Sequence, residues 1–410
     1  MNIKIKNNEL FKSVLLISIS IMFVISSTAL LHANEAEFII DRFKGITAFK
    51  FSLFDAVLYA AYLLAGPMAG YLSARTGKRK PFIVLGAAGT AVITLSMTLA
   101  PVYPILLILR FFQGVFCVTA WQSLMTMVLD LSDDSNRGRN MGIFGTFMAL
   151  SMGLGPAAGG ALAGISLFAP YYVSAVQCMV SVFITLFFIA EPPIKKENIK
   201  PGIADSIAFA RNSPGLIIPA LFNFVDRLHM SFIIFMIPLL LREFMQLGPE
   251  YRGMLLGING SAYIILQYPM GRLSDKIGRY RLLVVGSMGY GLLLGCTGPA
   301  AAAGLTPLII LFFCLGIFSG ITGPPNSALV GDLSSQEDNP LAMGFFNLFG
   351  NTGMVCGSLF GGFMLSFTGF TAAFMGAAAI ELVTLALNML IIRKLTAEKV
   401  NSLQKEDILV

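Results

Sequence analysis

A handful of ionisable side chains stand inside otherwise apolar runs of this sequence, and they define the chemistry on offer. Arg110-Phe111-Phe112-Gln113-Gly114 places Arg110, Gln113 and Gly114 at i, i+3 and i+4, so on a helix they share one face. Asp226 and Arg227 stand together, with Asn223 and His229 close by. Asp55 and Glu381 are isolated acids, and Asn259, Tyr263 and Gln267 recur every four residues. Such groups can carry a proton or hold a polar solute. At the centre of a membrane span an acid or base costs about 2.5–3.5 kcal/mol, so each is a candidate for function. Neighbours on a helix point about 100° apart, so Asp226 and Arg227 do not simply face each other. Covalent and metal chemistry find little support. His32 and His229 are too few for a histidine metal site. Cys117, Cys178, Cys296, Cys314 and Cys356 form no C-x-x-C pair and lie in apolar stretches, as small buried hydrophobes do. No G-x-x-x-x-G-K-[ST] phosphate loop and no G-x-S-x-G turn occurs. An enzyme is therefore not expected, and no cofactor or metal is implied.

The elements that position these residues are membrane helices. The chain has 410 residues, of which 56% are hydrophobic and only 12% charged, and its mean hydropathy is +0.78. A soluble domain carries roughly 25% charged residues, twice this share. Apolar segments fall at about 11–32, 49–72, 81–101, 103–129, 141–164, 168–190, 215–241, 253–273, 282–302, 305–330, 342–366 and 370–392. Runs of about 20 apolar residues suit a hydrocarbon core ~30 Å thick. They are too long for barrel strands, so the expected fold is all-α, with twelve transmembrane helices.

Basic residues orient these helices. Arg75 to Lys80, Arg137, Arg139, Lys195 to Arg211, Arg272 to Arg281 and Arg393 to Lys405 fall on one side, whereas the other has Arg42, Lys44, Lys50, Arg242 and Arg252. That asymmetry predicts both termini in the cytoplasm of a multi-pass cell-membrane protein. It also explains the net charge of +6 without a nucleic-acid partner. The competing reading of residues 4–33 as a cleaved signal peptide would spoil the even count of spans.

The chain repeats itself. Met141-Gly142-Ile143-Phe144, leading to Gly159-Gly160, aligns with Met343-Gly344-Phe345-Phe346, leading to Gly361-Gly362, at an offset of 202 residues. Asp130-Leu131-Ser132 matches Asp332-Leu333-Ser334 at the same offset. A repeat at half the chain length predicts two six-helix bundles, residues 1–191 and 215–410, joined by a polar cytoplasmic loop at 192–214 that holds Lys195, Lys196, Glu197 and Lys200. Paired repeats of this kind build transporters that rock about a central site.

On these residues the sequence resembles the major facilitator superfamily over essentially its whole length. The family's loop motif, G-x-x-x-D-[RK]-x-G-[RK]-[RK], occurs twice. Gly271, Asp275, Lys276, Gly278 and Arg279 carry it in the second half, and Gly70, Arg75, Gly77, Lys78 and Arg79 in the first, where Ala74 replaces the aspartate. Arg110 to Gly114 is similar to the R-x-x-x-G element of proton-coupled members. Gly155, Pro156, Gly159 and Gly160 resemble the G-P-x-x-G-G element of the exporter branches.

The resemblance implies alternating access, a latch at Asp275 that Ala74 cannot supply, and export of a small amphipathic solute against protons. Arg110, Gln113, Asn223, Asp226, Arg227, Asn259, Tyr263 and Gln267 would line the pathway, with Arg110 and Asp226 as its charged core. Asp55 is expected near water at the outer end, and Glu381 in a structural role. The first span, read as ending at residue 32, holds no acid. Metabolite uptake by symport or uniport is the alternative, and a non-transporting receptor on the same scaffold is the alternative of another class. Protons, a small solute and the lipid bilayer are the expected partners of a monomer.

Overall fold

The structure is a computed structural model that describes residues 2–133, 136–191, 202–335 and 338–408. Lys195, Lys196, Glu197 and Lys200 lie outside the described residues, as does the side chain of Ala74. Twelve helices take the places expected of the spans. In the first half these are α1 (Asn2–Ala29), α2 (Ala48–Thr76), α3 (Lys80–Thr98), α4 (Tyr103–Asp130), α5 (Arg137–Ile165) and α6 (Ala169–Phe188). A short amphipathic helix, α7 (Ile203–Asn212), occupies part of the polar join and packs on the second half. There follow α8 (Ile217–Leu239), α9 (Pro249–Ile277), α10 (Arg279–Gly295) with its continuation α11 (Thr297–Ala303), α12 (Leu305–Asp332), α13 (Asn339–Phe367) and α14 (Phe370–Ile408).

Among the described residues ten helices are long and apolar enough to cross a membrane. The pair α10 and α11, bent by 46°, makes an eleventh. The remaining one, α9, is 29 residues long, but Asn259, Ser261 and Gln267 dilute its apolar run. The α10–α11 bend corrects one expectation. Cys296 sits in the break and is exposed, whereas Cys117 and Cys178 are buried. Helix punctuation follows local chemistry. Prolines open α3, α4, α6, α9 and α13, where the missing N–H costs nothing. Gly77 and Gly278 end α2 and α9 at φ of +64° and +97°, a region that favours glycine.

Packing repeats with the sequence. In the first half α1 packs on α5 and α6, α4 on α2 and α3, and α3 on α6. In the second half α8 packs on α13 and α14, α12 on α9 and α10, and α10 on α14, which is the same set of pairs. Two interfaces join the bundles, α5 with α9 and α2 with α13.

Both interfaces are tightest at the end remote from the motif arginines. A side chain at Gly160 would strike the backbone carbonyl of Pro249, and one at Gly253 the carbonyl of Pro156, so glycine alone permits this α5–α9 approach. Phe51 of α2 lies 5.5 Å from Phe235 of α8. Two ion pairs bridge the bundles at the same end. Arg242 donates to Asp41 at 2.5 Å, and Arg252, 1% exposed, donates to Glu37. At the basic end the ion pairs Arg79–Asp130, Arg279–Asp275 and Arg279–Asp332 stay within one bundle. Gly138, Gly142 and Gly145 of α5 there have nothing within 4 Å of a would-be side chain. One end is therefore sealed between the bundles and the other is looser.

Candidate functional site: a buried charge cluster and a second polar group

The chain segment after α1 turns back into the protein and delivers Glu35 to the first-half core. Arg110 of α4 lies opposite, fully buried. Its Nη2 donates to Glu35 Oε1 at 2.8 Å and to Asp55 Oδ1 of α2 at 3.2 Å, and its Nη1 donates to Gln113 Oε1 at 2.9 Å. Gln113 passes the bond on to Thr94 of α3 at 2.7 Å. The guanidinium also lies over the ring of Phe54, 4.1 Å from its centroid. His32 Nδ1 is 3.0 Å from Glu35 Oε1. Gly114 lets α4 approach α2, since a side chain there would meet the Leu58 carbonyl and Ala61 at 2.8 and 2.7 Å. Arg110, Gln113 and Gly114 thus share one inward face.

Two expectations are corrected here. Asp55 does not reach water; it is 1% exposed, because Arg110 draws it inward. Arg110 is balanced by Glu35 and Asp55 rather than by Asp226. The absence of an acid from the first span is also only nominal, because Glu35 follows three residues after His32 and occupies the bundle core. Glu35 Oε2 has no hydrogen-bond partner among the described residues.

Ligand atoms of His32, Glu35 and Asp55 all lie within 4.8 Å of one another, a spacing that could serve a metal ion. Arg110 Nη2 already sits against an oxygen of each carboxylate. A guanidinium therefore fills the place a cation would take, and the donor set does not fit a metal ion.

A second polar group lies in the other bundle. Glu381 of α14, 4% exposed, is 3.0 Å from His229 Nδ1 and accepts from Ser287. The Nε2–H of His229 donates to the Ala377 carbonyl at 2.9 Å, which fixes its tautomer. Asp226 turns toward this group and lines a cavity of about 20 Å³ with Tyr290, Thr322, Asn326 and Glu381. That is room for one water molecule. Arg227 points elsewhere, toward α13, with its Nη1 3.5 Å from Met230 Sδ. Asn223 donates to the Phe346 carbonyl at 2.8 Å and ties α8 to α13.

Other expected residues serve the packing of helices. Asn259 donates to the Phe312 carbonyl at 3.1 Å, and Tyr263 lies against Gly320 and Gly323 of α12, with Gln267 one turn further along α9. The stripe therefore faces α12 along much of its length.

In the loop motif, Arg79 is 1% exposed and donates to Asp130 at 2.8 Å and Ser73 at 2.6 Å, so it is more than a surface charge. Arg75 and Lys78 are exposed. Arg279 repeats the arrangement, donating to Asp332 at 2.8 Å, Ser274 at 2.7 Å and Asp275 at 2.6 Å. Glu191 caps α3 by accepting from the backbone of Arg79 and Lys80 at 2.6 and 3.0 Å. Gly70 and Gly271 sit beside Gln122 and Pro324. Gly155 and Gly159 lie against Ala29 and Leu30 at the end of α1, Pro156 sits within α5, and Gly160 faces α9.

Comparison with known proteins agrees with this architecture. The model of the Major Facilitator Superfamily matches residues 13–225 and again 219–409. The tetracycline resistance protein, class G, of Vibrio anguillarum is 26% identical over 334 residues, 78% of this chain and 80% of that protein. The multidrug resistance protein MdtG of Salmonella paratyphi C is 28% identical over 332 residues, 78% and 79% of the two chains. Among solved structures, that of a variant of the nucleoside transporter NupG shares the fold. Its TM-score is 0.77 at 13% identity, covering 93% of this chain and 99% of that one.

Proposed function

The chain belongs to the major facilitator superfamily of transporters, and we propose that it exports a small amphipathic solute across the cell membrane in exchange for protons. The observation that carries this reading is the charge count around Arg110. One guanidinium faces two buried carboxylates, Glu35 and Asp55, with His32 beside them. With a neutral imidazole the cluster is one negative charge in excess. A buried excess charge is costly, and one bound proton removes it. The acceptor is the Glu35–Asp55 pair, one oxygen of each lying against Arg110 Nη2.

The cycle follows from where the cluster lies. Glu35 is six residues before Asp41 and two before Glu37, which tie the sealed end to Arg242 and Arg252 of the other bundle. Opening that end pulls on this segment and admits water to the Glu35–Asp55 pair, which exchanges its proton. Closing the end returns the carboxyl to its dry site. By the positive-inside rule the basic end is cytoplasmic, both termini are cytoplasmic, and the conformation described is the inward-facing one. Bundles 1–191 and 215–410 then rock as a monomer about the α5–α9 and α2–α13 interfaces. The names of the relatives, which concern tetracycline and multidrug resistance, suggest the solutes to try first.

The test is solute-dependent collapse of an imposed pH gradient in proteoliposomes, read by entrapped pyranine, with tetracycline and cationic, neutral and anionic dyes. Glu35→Gln should lower the coupled proton movement at least tenfold while solute still exchanges down its own gradient. Solute flux through the wild type with no accompanying proton movement would overturn the reading in favour of uniport.

A further inference from the structure

Arg227 is treated differently from every other deeply placed arginine. Arg110 is held by Glu35 and Asp55, Arg79 by Asp130, and Arg252 by Glu37. Arg227 sits near the middle of α8, partly exposed, and among the described residues no carboxylate lies within ion-pair distance of it. Its one hydrogen bond is to the weak acceptor Met230 Sδ at 3.5 Å. Its neighbour Asp226 is no partner, because that carboxylate faces the small cavity shared with Glu381 inside the bundle.

The place is central. The stem of Arg227 runs beside Gly350 of α13, where a side chain would come within 3.3 Å of Cγ. Met230 and Met354 of the second bundle pack against the first-bundle cluster of Ile17, Ile21, Tyr59 and Tyr62. A cation with no carboxylate within ion-pair distance among the described residues therefore stands beside the Met230 thioether, where the second bundle meets the first. A guanidinium offers a planar fork that matches carboxylate, sulfonate or phosphate oxygens, and a partner of opposite charge is what this position lacks.

We propose that Arg227 anchors an anionic group on the transported solute, so that the substrates are amphipathic organic anions whose apolar body rests on Met230, Met354 and Tyr59. This deepens the proposed export function and rests on that reading for its direction, though not for its chemistry. An anionic lipid headgroup offers the same oxygens, so the test must separate the two sources.

The probes are fluorescein and 4-methylumbelliferyl phosphate as anions and rhodamine 123 as a cation. Binding is measured by fluorescence on the purified full chain, and uptake in vesicles of phosphatidylcholine with or without phosphatidylglycerol. Wild type should bind at least one anion more tightly than rhodamine 123. Arg227→Gln should weaken that anion at least tenfold and leave rhodamine 123 unchanged or stronger, while Arg227→Lys retains part of the affinity. The thermal unfolding midpoint of each variant separates lost binding from lost fold. Three outcomes overturn the proposal: wild type binds neither anion, Arg227→Gln changes anion affinity less than twofold in a folded protein, or phosphatidylglycerol abolishes anion binding, which would make this a lipid site. Anion transport that proceeds without protons sinks the coupling reading and leaves this inference standing.

Discussion

Removing Arg110 should cost far more stability than removing either acid it holds. Arg110→Gln leaves Glu35 and Asp55 facing each other with carboxylate oxygens within 4.8 Å. At an effective dielectric constant of about 20, two like charges at that separation repel by roughly 3.5 kcal/mol. That agrees with the roughly 3–5 kcal/mol typical of breaking a buried pair from one side. Glu35→Gln is different in kind, because Arg110 keeps Asp55 at 3.2 Å and Gln113 at 2.9 Å while the repulsion between the acids disappears. Its net cost should be near that of one hydrogen bond, about 1 kcal/mol. The difference between the two variants, about 3 kcal/mol, is roughly a hundredfold in the unfolding equilibrium. Reversible unfolding of the purified protein in mixed detergent and dodecyl sulfate measures it. Acidification should restore Arg110→Gln preferentially, since protonating either stranded carboxyl removes the repulsion, so its deficit should shrink as pH falls. If Glu35→Gln is as damaging as Arg110→Gln, or if the Arg110→Gln deficit is the same at every pH, the charge-excess argument is wrong.

The ion pairs at the sealed end should act as a lock. Glu37→Gln combined with Asp41→Asn is expected to raise the population open at that end, seen as longer spin-label distances between the 37–41 segment and α9; unchanged distances would remove the lock. At Gly160, a leucine would collide with the Pro249 carbonyl, so Gly160→Leu should separate α5 from α9 and abolish transport, whereas Gly164→Leu, in open space, should transport normally. Asp275→Asn should shift the balance of conformations more than Ala74→Ser, because Asp275 helps to hold Arg279; equal cysteine accessibility of cavity positions in the two variants would count against it. Cys296 should react with a maleimide in native protein at least tenfold faster than Cys117 or Cys178, and equal rates would show the α10–α11 bend to be absent.

Much of the fold was legible because the membrane leaves few options. Apolar runs of span length must be helices, and the 202-residue repeat of Asp130 and Asp332 marks equivalent ends of α4 and α12. Both aspartates indeed receive the motif arginine of their own bundle, Arg79 and Arg279. The candidate site was only half legible. Arg110, Gln113 and Gly114 were marked by their spacing, but their acids were not. Glu35 lies just beyond the first apolar run, in the stretch from His32 to Arg42 whose polarity imitates an external loop. Only the return of that stretch into the bundle, capped by a π-helical turn at Glu37–Asp41, makes the carboxylate a core residue. The partner of a buried charge is a tertiary fact. The nearest hint in sequence is the i, i+3 spacing of His32 and Glu35, and that pattern is common on exposed helices.

The two bundles have solved the same problem of buried charge in opposite ways, and the difference bears on how the protein works. In the first, one base holds two acids, each element tied to the next through Glu35, Asp55, Gln113 and Thr94, so the group is rigid and, on the proposed reading, its variable is a proton. In the second, Glu381 accepts from Ser287 and lies 3.0 Å from His229 Nδ1, while among the described residues Asp226 and Arg227 are left without ion-pair partners on different faces of α8. A carrier needs one site whose occupancy is a proton and another whose occupancy is the solute. If both were saturated by the protein's own side chains, nothing would bind; if both were open, neither would favour one conformation over another. Coupling requires that filling one change the cost of filling the other through a shared moving part. On the proposed reading that shared part is the sealed end, where Glu37 and Asp41, next along the chain from Glu35, grip Arg252 and Arg242 of the bundle that carries Arg227.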